Sequence, residues 1–166
     1  METLASLSKF VSEYPQLING ELQYSFTGGC AVRLNQELFP SEKKRAITDF
    51  DLVVFRQNNY PCHQFDLRRV EDLVDLNSDE IKSFISEVKI ENINYFFMDT
   101  NFLTLSKTCA LDNPRYKDFQ DISSLKELGL IDEEKLMTLY SKATTITHNS
   151  RLTLDTLNWI LDYPID

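Results

Sequence analysis

The segment SFTGGCAVRLNQELFPSEKKRAITDFDLVVF, residues 25–55, constrains the fold of this chain more than any other. A short strand pattern ends at Gly28 and Gly29, a helix pattern follows, and a very apolar strand opens with Asp49 and Asp51. Apolar residues on both faces of a strand indicate a central strand that is covered on each side. Glycines and paired aspartates do not stabilise such elements, so the segment predicts a ligand site on an α+β fold.

The glycines and the aspartates point to different ligand groups. A diglycine at the start of a helix lets the backbone approach a ligand, and the free N–H groups of the helix N-terminus attract phosphate oxygens. Asp49 and Asp51 would lie on one face of their strand with carboxylates about 7 Å apart, and Mg²⁺ ions would relieve their repulsion. Each motif alone is common in turns and caps. Together they predict a site in which the two motifs face each other across a cleft.

Composition and charge limit the class of protein. Of the 166 residues, 42% are hydrophobic and 26% are charged, as in ordinary globular proteins. No apolar run approaches the roughly 20 residues of a membrane-spanning helix, and the first residues lack a signal-peptide pattern, so we expect a cytoplasmic protein. The net charge of -9 disfavours broad nucleic-acid binding. The three cysteines form no CxxC pair, which argues against a zinc site or a disulfide framework.

The remaining patterns predict a strand-and-helix core followed by helices. Strands are predicted at 23–27, 48–55 and 90–98. Helices are predicted at 1–14, 30–38, 78–88, 102–111, 115–128, 132–144 and 150–163. The segment 56–79 mixes turn signals with a pattern that fits a helix or irregular chain. We therefore expect a core at 1–110 and a helical C-terminal subdomain at 111–166 that packs on it.

On these residues the chain resembles the nucleotidyltransferase superfamily, typified by the DNA polymerase beta fold. FTGGCAVRL followed by ITDFDLVVF matches its helix-opening glycines and its strand-borne DxD motif. VKIENI resembles the strand that supplies a third carboxylate, and Glu91 is the matching position. FLTLSKTCALDNPRYKDFQDISSL is similar to a segment of AbiEii-like nucleotidyltransferases, with matching positions Lys107, Arg115, Lys117, Asp118 and Asp121.

The resemblance implies a mixed sheet flanked by helices and the transfer of a nucleoside monophosphate from a nucleoside triphosphate (NTP) to an acceptor. The implied ligands of two Mg²⁺ ions are Asp49, Asp51 and Glu91. The implied contacts to the nucleotide are Gly28, Gly29, Lys107 and Lys117. The acceptor would be a small molecule, a protein side chain or tRNA. The AbiEii-like segment implies the toxin of a toxin–antitoxin pair, with an antitoxin protein as partner.

Several of these assignments have an alternative. Asp66 is the alternative to Glu91 as third metal ligand. Lys107 shares a helix face with leucines and would otherwise cover apolar surface. Lys117 and Asp121 have the spacing of a helical ion pair, so their segment would otherwise be an exposed charge network. For the whole protein, the alternative to an enzyme is a catalytically inactive module that keeps the fold and binds a partner.

Overall fold

The computed structural model describes residues 2–14, 17, 24–39, 41, 43–54, 67–69, 74–109, 116–143 and 150–162. The strands are β1 Tyr24–Thr27, β2 Asp51–Val54, β3 Leu67–Arg69, β4 Ile85–Ile90 and β5 Ile93–Met98. The helices are α1 Glu2–Glu13, α2 Gly28–Leu38, α3 Ser78–Lys82, α4 Thr100–Cys109, α5 Tyr116–Glu127, α6 Glu133–Lys142 and α7 Ser150–Leu161. A sheet flanked by helices confirms the predicted α+β class. Within these ranges, no helix is both long enough and apolar enough to cross a membrane.

The five strands form one mixed sheet in the order β3-β2-β1-β5-β4. Strand β1 is antiparallel to β2 and parallel to β5, and the outer pairs are parallel β2–β3 and antiparallel β4–β5. Phe26 of β1 pairs with Leu52 of β2, and both side chains are fully buried. The apolar strand of the opening segment is therefore a covered inner strand, as its sequence predicts.

Helix α1 covers one face of the sheet. Its Leu7, Phe10 and Val11 are buried, in line with their helical spacing. The Phe10 ring stacks on Phe50 at a centroid distance of 4.1 Å and lies 6.3 Å from Phe26. These contacts partly bury Phe50, the residue between the two predicted metal-binding aspartates, so α1 helps to fix the start of β2.

Helix α4 joins the sheet to the C-terminal helices. Buried Asn35 of α2 donates through Nδ2 to the carbonyl of Met98 (3.0 Å) and accepts from the Thr100 hydroxyl (3.3 Å), which fixes the β5–α4 junction. Helix α4 packs against α5, α6 and α7. Their buried apolar side chains include Leu103, Ile122, Leu125, Leu136 and Leu157. The division at residue 110 stays a prediction.

Several elements differ from the sequence prediction. The helix expected at 78–88 ends at Lys82, and its last residues belong to β4. Asn77 caps the short α3 in a capping box with Glu80, whereas the β-branched residues after Phe84 pair with β5. Strand β3 lies in the segment whose pattern was ambiguous, because its charged residues resemble an exposed helix face. Strand β2 also begins later than expected, at Asp51 instead of residue 48.

Candidate functional site

The diglycine and the second aspartate lie in direct contact. Thr27, the last residue of β1, pairs with Asp51, and Gly28 is the first residue of α2. Gly28 has a φ of +60°, and a Cβ added there would lie 3.0 Å from Cγ of Asp51 and overlap its carboxylate. Only glycine therefore allows this approach. The sequence predicts the two motifs on opposite sides of a cleft. Instead, they lie side by side at one end of two adjacent strands.

Asp49 extends the acidic character of this end of the sheet. It is exposed just before β2 and accepts a hydrogen bond from the Thr48 hydroxyl (3.1 Å), whereas Asp51 is half-buried. Burial, followed by the negative charges of Asp51 and Asp49, raises the pKa of the buried Cys30 thiol. Both carboxylates thus act on the first turn of α2. That turn also offers backbone N–H groups that no helix carbonyl can satisfy.

The donor chemistry of this pair fits Mg²⁺. Magnesium prefers oxygen ligands and usually binds proteins through one or two carboxylates together with substrate phosphates. Asp49 and Asp51 supply two carboxylates beside a helix N-terminus suited to phosphate. Within the described ranges, no group of three or more His, Cys, Asp or Glu side chains is arranged to hold a metal ion.

The structure does not bring Glu91 to this pair. Glu91 lies in the exposed turn between β4 and β5, with a φ of 49°. Phe26 aligns with Phe97, so the end of β5 at Met98 lies near Asp51, whereas the turn beside Ile93 lies at the opposite end. The six residues from Ile93 to Met98 span about 17 Å. Strand β4 is also an edge strand, separated from β2 by β5 and β1, which corrects the predicted neighbour relation.

Strand β2 lies between β1 and β3. Leu67 pairs in parallel with Leu52, the residue after Asp51. Asp66, the alternative third ligand, precedes Leu67 in the chain and lies outside the described residues. Asp66 therefore stays the predicted alternative to Glu91.

Lys107 belongs to a buried ion-pair cluster between α4 and α5. Its Nζ donates to Oδ1 of Asp118 (3.1 Å) and lies 2.8 Å from Oδ2 of Asp121. The two aspartate side chains are each 1% exposed and that of Lys107 is 10% exposed. Lys107 thus does not simply cover apolar surface. The aspartates do not form the exposed network that was the alternative for this segment.

The cluster extends to Arg45, the last residue of the charged run SEKKR. Its Nε donates to Oδ1 of Asp121 (2.8 Å). A Cβ added to Gly29 would lie 3.5 Å from its Nη2 atom. Arg45 therefore connects the start of α2 with Lys107. The run SEKKR signals positive charge but not which of its residues turns inward, so sequence reasoning missed this role.

Lys117 takes no part in this cluster. It is half-buried on α5, and among the described residues it forms no ion pair. Its expected helical partner, Asp121, instead contacts Lys107 and Arg45. Arg115 lies outside the described residues.

Comparison with known proteins identifies the fold. No protein-family model matches the chain, and no curated protein matches it. Five chains of solved structures match. One is an antigenic nucleotidyltransferase-like protein from Paracoccidioides brasiliensis, which aligns with a TM-score of 0.52 over 96% of this chain and 94% of that chain. This is a nucleotidyltransferase-like fold.

The identity to that protein is 14%, so the similarity shows the fold and not the reaction. It agrees with the superfamily resemblance of the GG and DxD motifs. The closer likeness to AbiEii-like proteins stays a prediction.

Proposed function

We propose that this protein is a metal-dependent nucleotidyltransferase that transfers a nucleoside monophosphate from an NTP to an acceptor. The observation that carries the proposal is the contact between Gly28 and the Asp51 carboxylate. It makes a phosphate-binding helix start and a metal ligand immediate neighbours. An NTP bound at the start of α2 would therefore have its phosphates beside the Asp51 carboxylate, where a bound cation would neutralise their charge. The nucleotidyltransferase-like fold supports the same reaction class.

In this proposal, Asp49 and Asp51 hold two Mg²⁺ ions, and Asp66 replaces Glu91 as the third ligand. Bound Mg²⁺ would lower the pKa of the acceptor hydroxyl and neutralise charge on the departing pyrophosphate. The acceptor oxygen would form a bond to the α-phosphorus as the bond from that phosphorus to the oxygen bridging to the β-phosphate breaks, pyrophosphate would leave, and the hydroxyl proton would pass to water. The chain contributes the carboxylate of Asp51 on β2 and that of Asp49 just before the strand, so little reorganisation would accompany the reaction.

The phosphates would be bound by the first turn of α2 and by lysine. Backbone N–H groups at Gly28 and Gly29 would donate to phosphate oxygens, and the helix dipole would favour this binding. An ammonium group has three N–H donors, and two carboxylates engage Nζ of Lys107. A third donor remains for a phosphate. We assign Lys117 a weaker contact with the outer phosphates.

Acceptor and physiological role form the finer part of the proposal. The acceptor is a small molecule, a protein side chain or tRNA, and the AbiEii-like segment favours a toxin neutralised by an antitoxin protein. Expression of a toxin of this kind should arrest growth, and the Asp49→Asn, Asp51→Asn double variant should relieve the arrest. Arrest that is unchanged by these substitutions would contradict a toxic transferase activity.

The first test is isothermal titration of the wild-type chain with each NTP, with and without Mg²⁺. We expect Mg²⁺-dependent binding that the Asp49→Asn, Asp51→Asn double variant loses, because asparagine keeps the shape but removes both negative charges. Glu87→Gln serves as a control, since it removes one exposed charge from β4.

Wild-type binding retained in the double variant would place the nucleotide elsewhere. Failure of the folded wild type to bind any NTP would favour the inactive binding module.

A further inference from the structure

The guanidinium of Arg45 has donors that no residue in the described ranges uses. Nε donates to Asp121, and Nη1 donates to the carbonyl of Ala46 at 3.0 Å. Nη2 carries two more N–H groups, and no described residue accepts a hydrogen bond from it. Nη2 is also the guanidinium atom nearest to the position of a Cβ on Gly29. The unused donors therefore lie beside the first turn of α2.

Buried side chains of α2 hold the backbone of Arg45 in this position. Gln36 accepts from the Arg45 backbone N–H (2.7 Å), and Arg33 donates to the Arg45 carbonyl (3.1 Å). Gln36 also donates to the carbonyl of Lys43 (3.1 Å). Arg33 is itself fixed by Glu37 at 2.6 Å. The backbone N–H and the carbonyl of Arg45 are thus both hydrogen-bonded to side chains of α2. The guanidinium of Arg45 lies at the start of the same helix.

Asp121 holds the guanidinium of Arg45 through its Nε atom. Asp121 is almost fully buried, so its contact with Nε is shielded from water. A planar guanidinium that is held through one edge can present its other edge to an anion. Arg45 and Lys107 balance Asp118 and Asp121 in formal charge. The polyphosphate of a nucleotide would add the anion that the unused Nη2 donors fit.

We propose that Arg45 binds the polyphosphate of the NTP through Nη2, alongside the first turn of α2. This inference rests on the proposed function and adds a specific residue to it. Arg45 thereby recognises the charge and position of the polyphosphate. Asp121, which also contacts Lys107, positions the guanidinium. Arg33 and Gln36 are positioning residues that act through the backbone of Arg45.

The test measures binding of an NTP and of inorganic tripolyphosphate, each with Mg²⁺, by isothermal titration. Arg45→Gln should lower both affinities about tenfold or more, the value of a lost charge-assisted hydrogen bond. Arg45→Lys keeps a positive charge beside Asp121 but lacks the second N–H edge of the guanidinium, so we expect a several-fold loss of affinity. Lys44→Gln is the matched control, because Lys44 is the adjacent cation and pairs with Glu37 instead. Its affinities should stay within twofold of the wild type.

Thermal unfolding of each variant separates binding from folding. If folded Arg45→Lys and Arg45→Gln bind tripolyphosphate within twofold of the wild type, the role of Arg45 is overturned and the proposed function stands. If Lys44→Gln loses as much affinity as Arg45→Gln, general charge explains the effect and the specific contact is overturned. If the wild type binds neither an NTP nor tripolyphosphate, the proposed function fails together with this inference.

Discussion

Gly28 and Gly129 share a left-handed backbone but have different surroundings. Their φ angles are +60° and +67°. A Cβ on Gly28 would overlap the Asp51 carboxylate, whereas a Cβ on Gly129 would meet nothing within 4 Å. At the scale of single residues, the left-handed backbone alone explains why position 129 is glycine. At position 28, the left-handed backbone and the close approach of Asp51 both require glycine. The comparison separates a turn glycine from one that shapes a site.

Alanine substitutions should reveal this difference. Gly129→Ala carries only the left-handed strain and should lower the free energy of unfolding by about 1–2 kcal/mol. Gly28→Ala should lower it further and weaken Mg²⁺-dependent NTP binding, because Asp51 must move. Gly29→Ala should leave stability unchanged or improved, since its Cβ would make an ordinary contact with Arg45. Urea unfolding and titration with NTP measure these effects. Equal losses for Gly28→Ala and Gly129→Ala would contradict a close approach by Asp51.

At the scale of elements, the α4–α5 pair combines apolar packing with buried charge. Leu103 and Ile122 are fully buried, and so are the carboxylates that hold Lys107. A buried ion pair contributes little net stability compared with an apolar replacement of the whole pair, but loss of one partner leaves a costly buried charge. The helix pair is therefore sensitive to single substitutions that alter this balance.

Lys107→Met should lower the free energy of unfolding by about 3–5 kcal/mol, because two buried carboxylates lose a cation. Lys82→Met is the control. Lys82 pairs with Asp79 over 3.1 Å, but the two side chains are 68% and 91% exposed, so little change is expected. Equilibrium urea unfolding at neutral pH compares the two. A small effect at Lys107 would show that the carboxylates find compensation without it.

At the scale of the whole molecule, strand order determines how far Glu91 lies from Asp51. Strand β3 lies next to β2, and β4 forms the far edge of the sheet. The Glu91 turn lies at the opposite end of the sheet from Asp51. Strand order therefore separates Glu91 from Asp51, and Asp66, which lies outside the described residues, stays our proposal for the third carboxylate.

Asp66→Asn should weaken Mg²⁺-dependent NTP binding about tenfold or more, since a metal ligand of this kind is charge-assisted. Glu91→Gln should leave binding unchanged, because the exposed hairpin turn is distant from the site. Isothermal titration under the conditions used for the Asp49 and Asp51 variants gives both values. The reverse pattern would show that strand order is a poor guide to the ligand set.

The sequence alone was sufficient where structure depends on neighbours along the chain. The helical spacing of Leu7, Phe10 and Val11 predicted α1, and the apolar residues after Asp51 predicted a covered strand. It also placed the glycines at a strand–helix junction. The helix expected at 78–88 was half wrong, because periodicity does not separate a short capped helix from the strand that follows it.

Tertiary structure decided the contacts between distant parts of the chain. Arg45 and Asp121 are 76 residues apart in sequence, and no local pattern indicates that they form a buried ion pair. The same limitation applies to Glu91, whose distance from Asp51 depends on the order of the strands. Periodicity, caps and turn residues express forces over a few residues, so the sequence determined the elements and the GG and DxD motifs. Burial of charge and strand order depend on the assembled fold, which alone brought Gly28, Asp51 and Arg45 together.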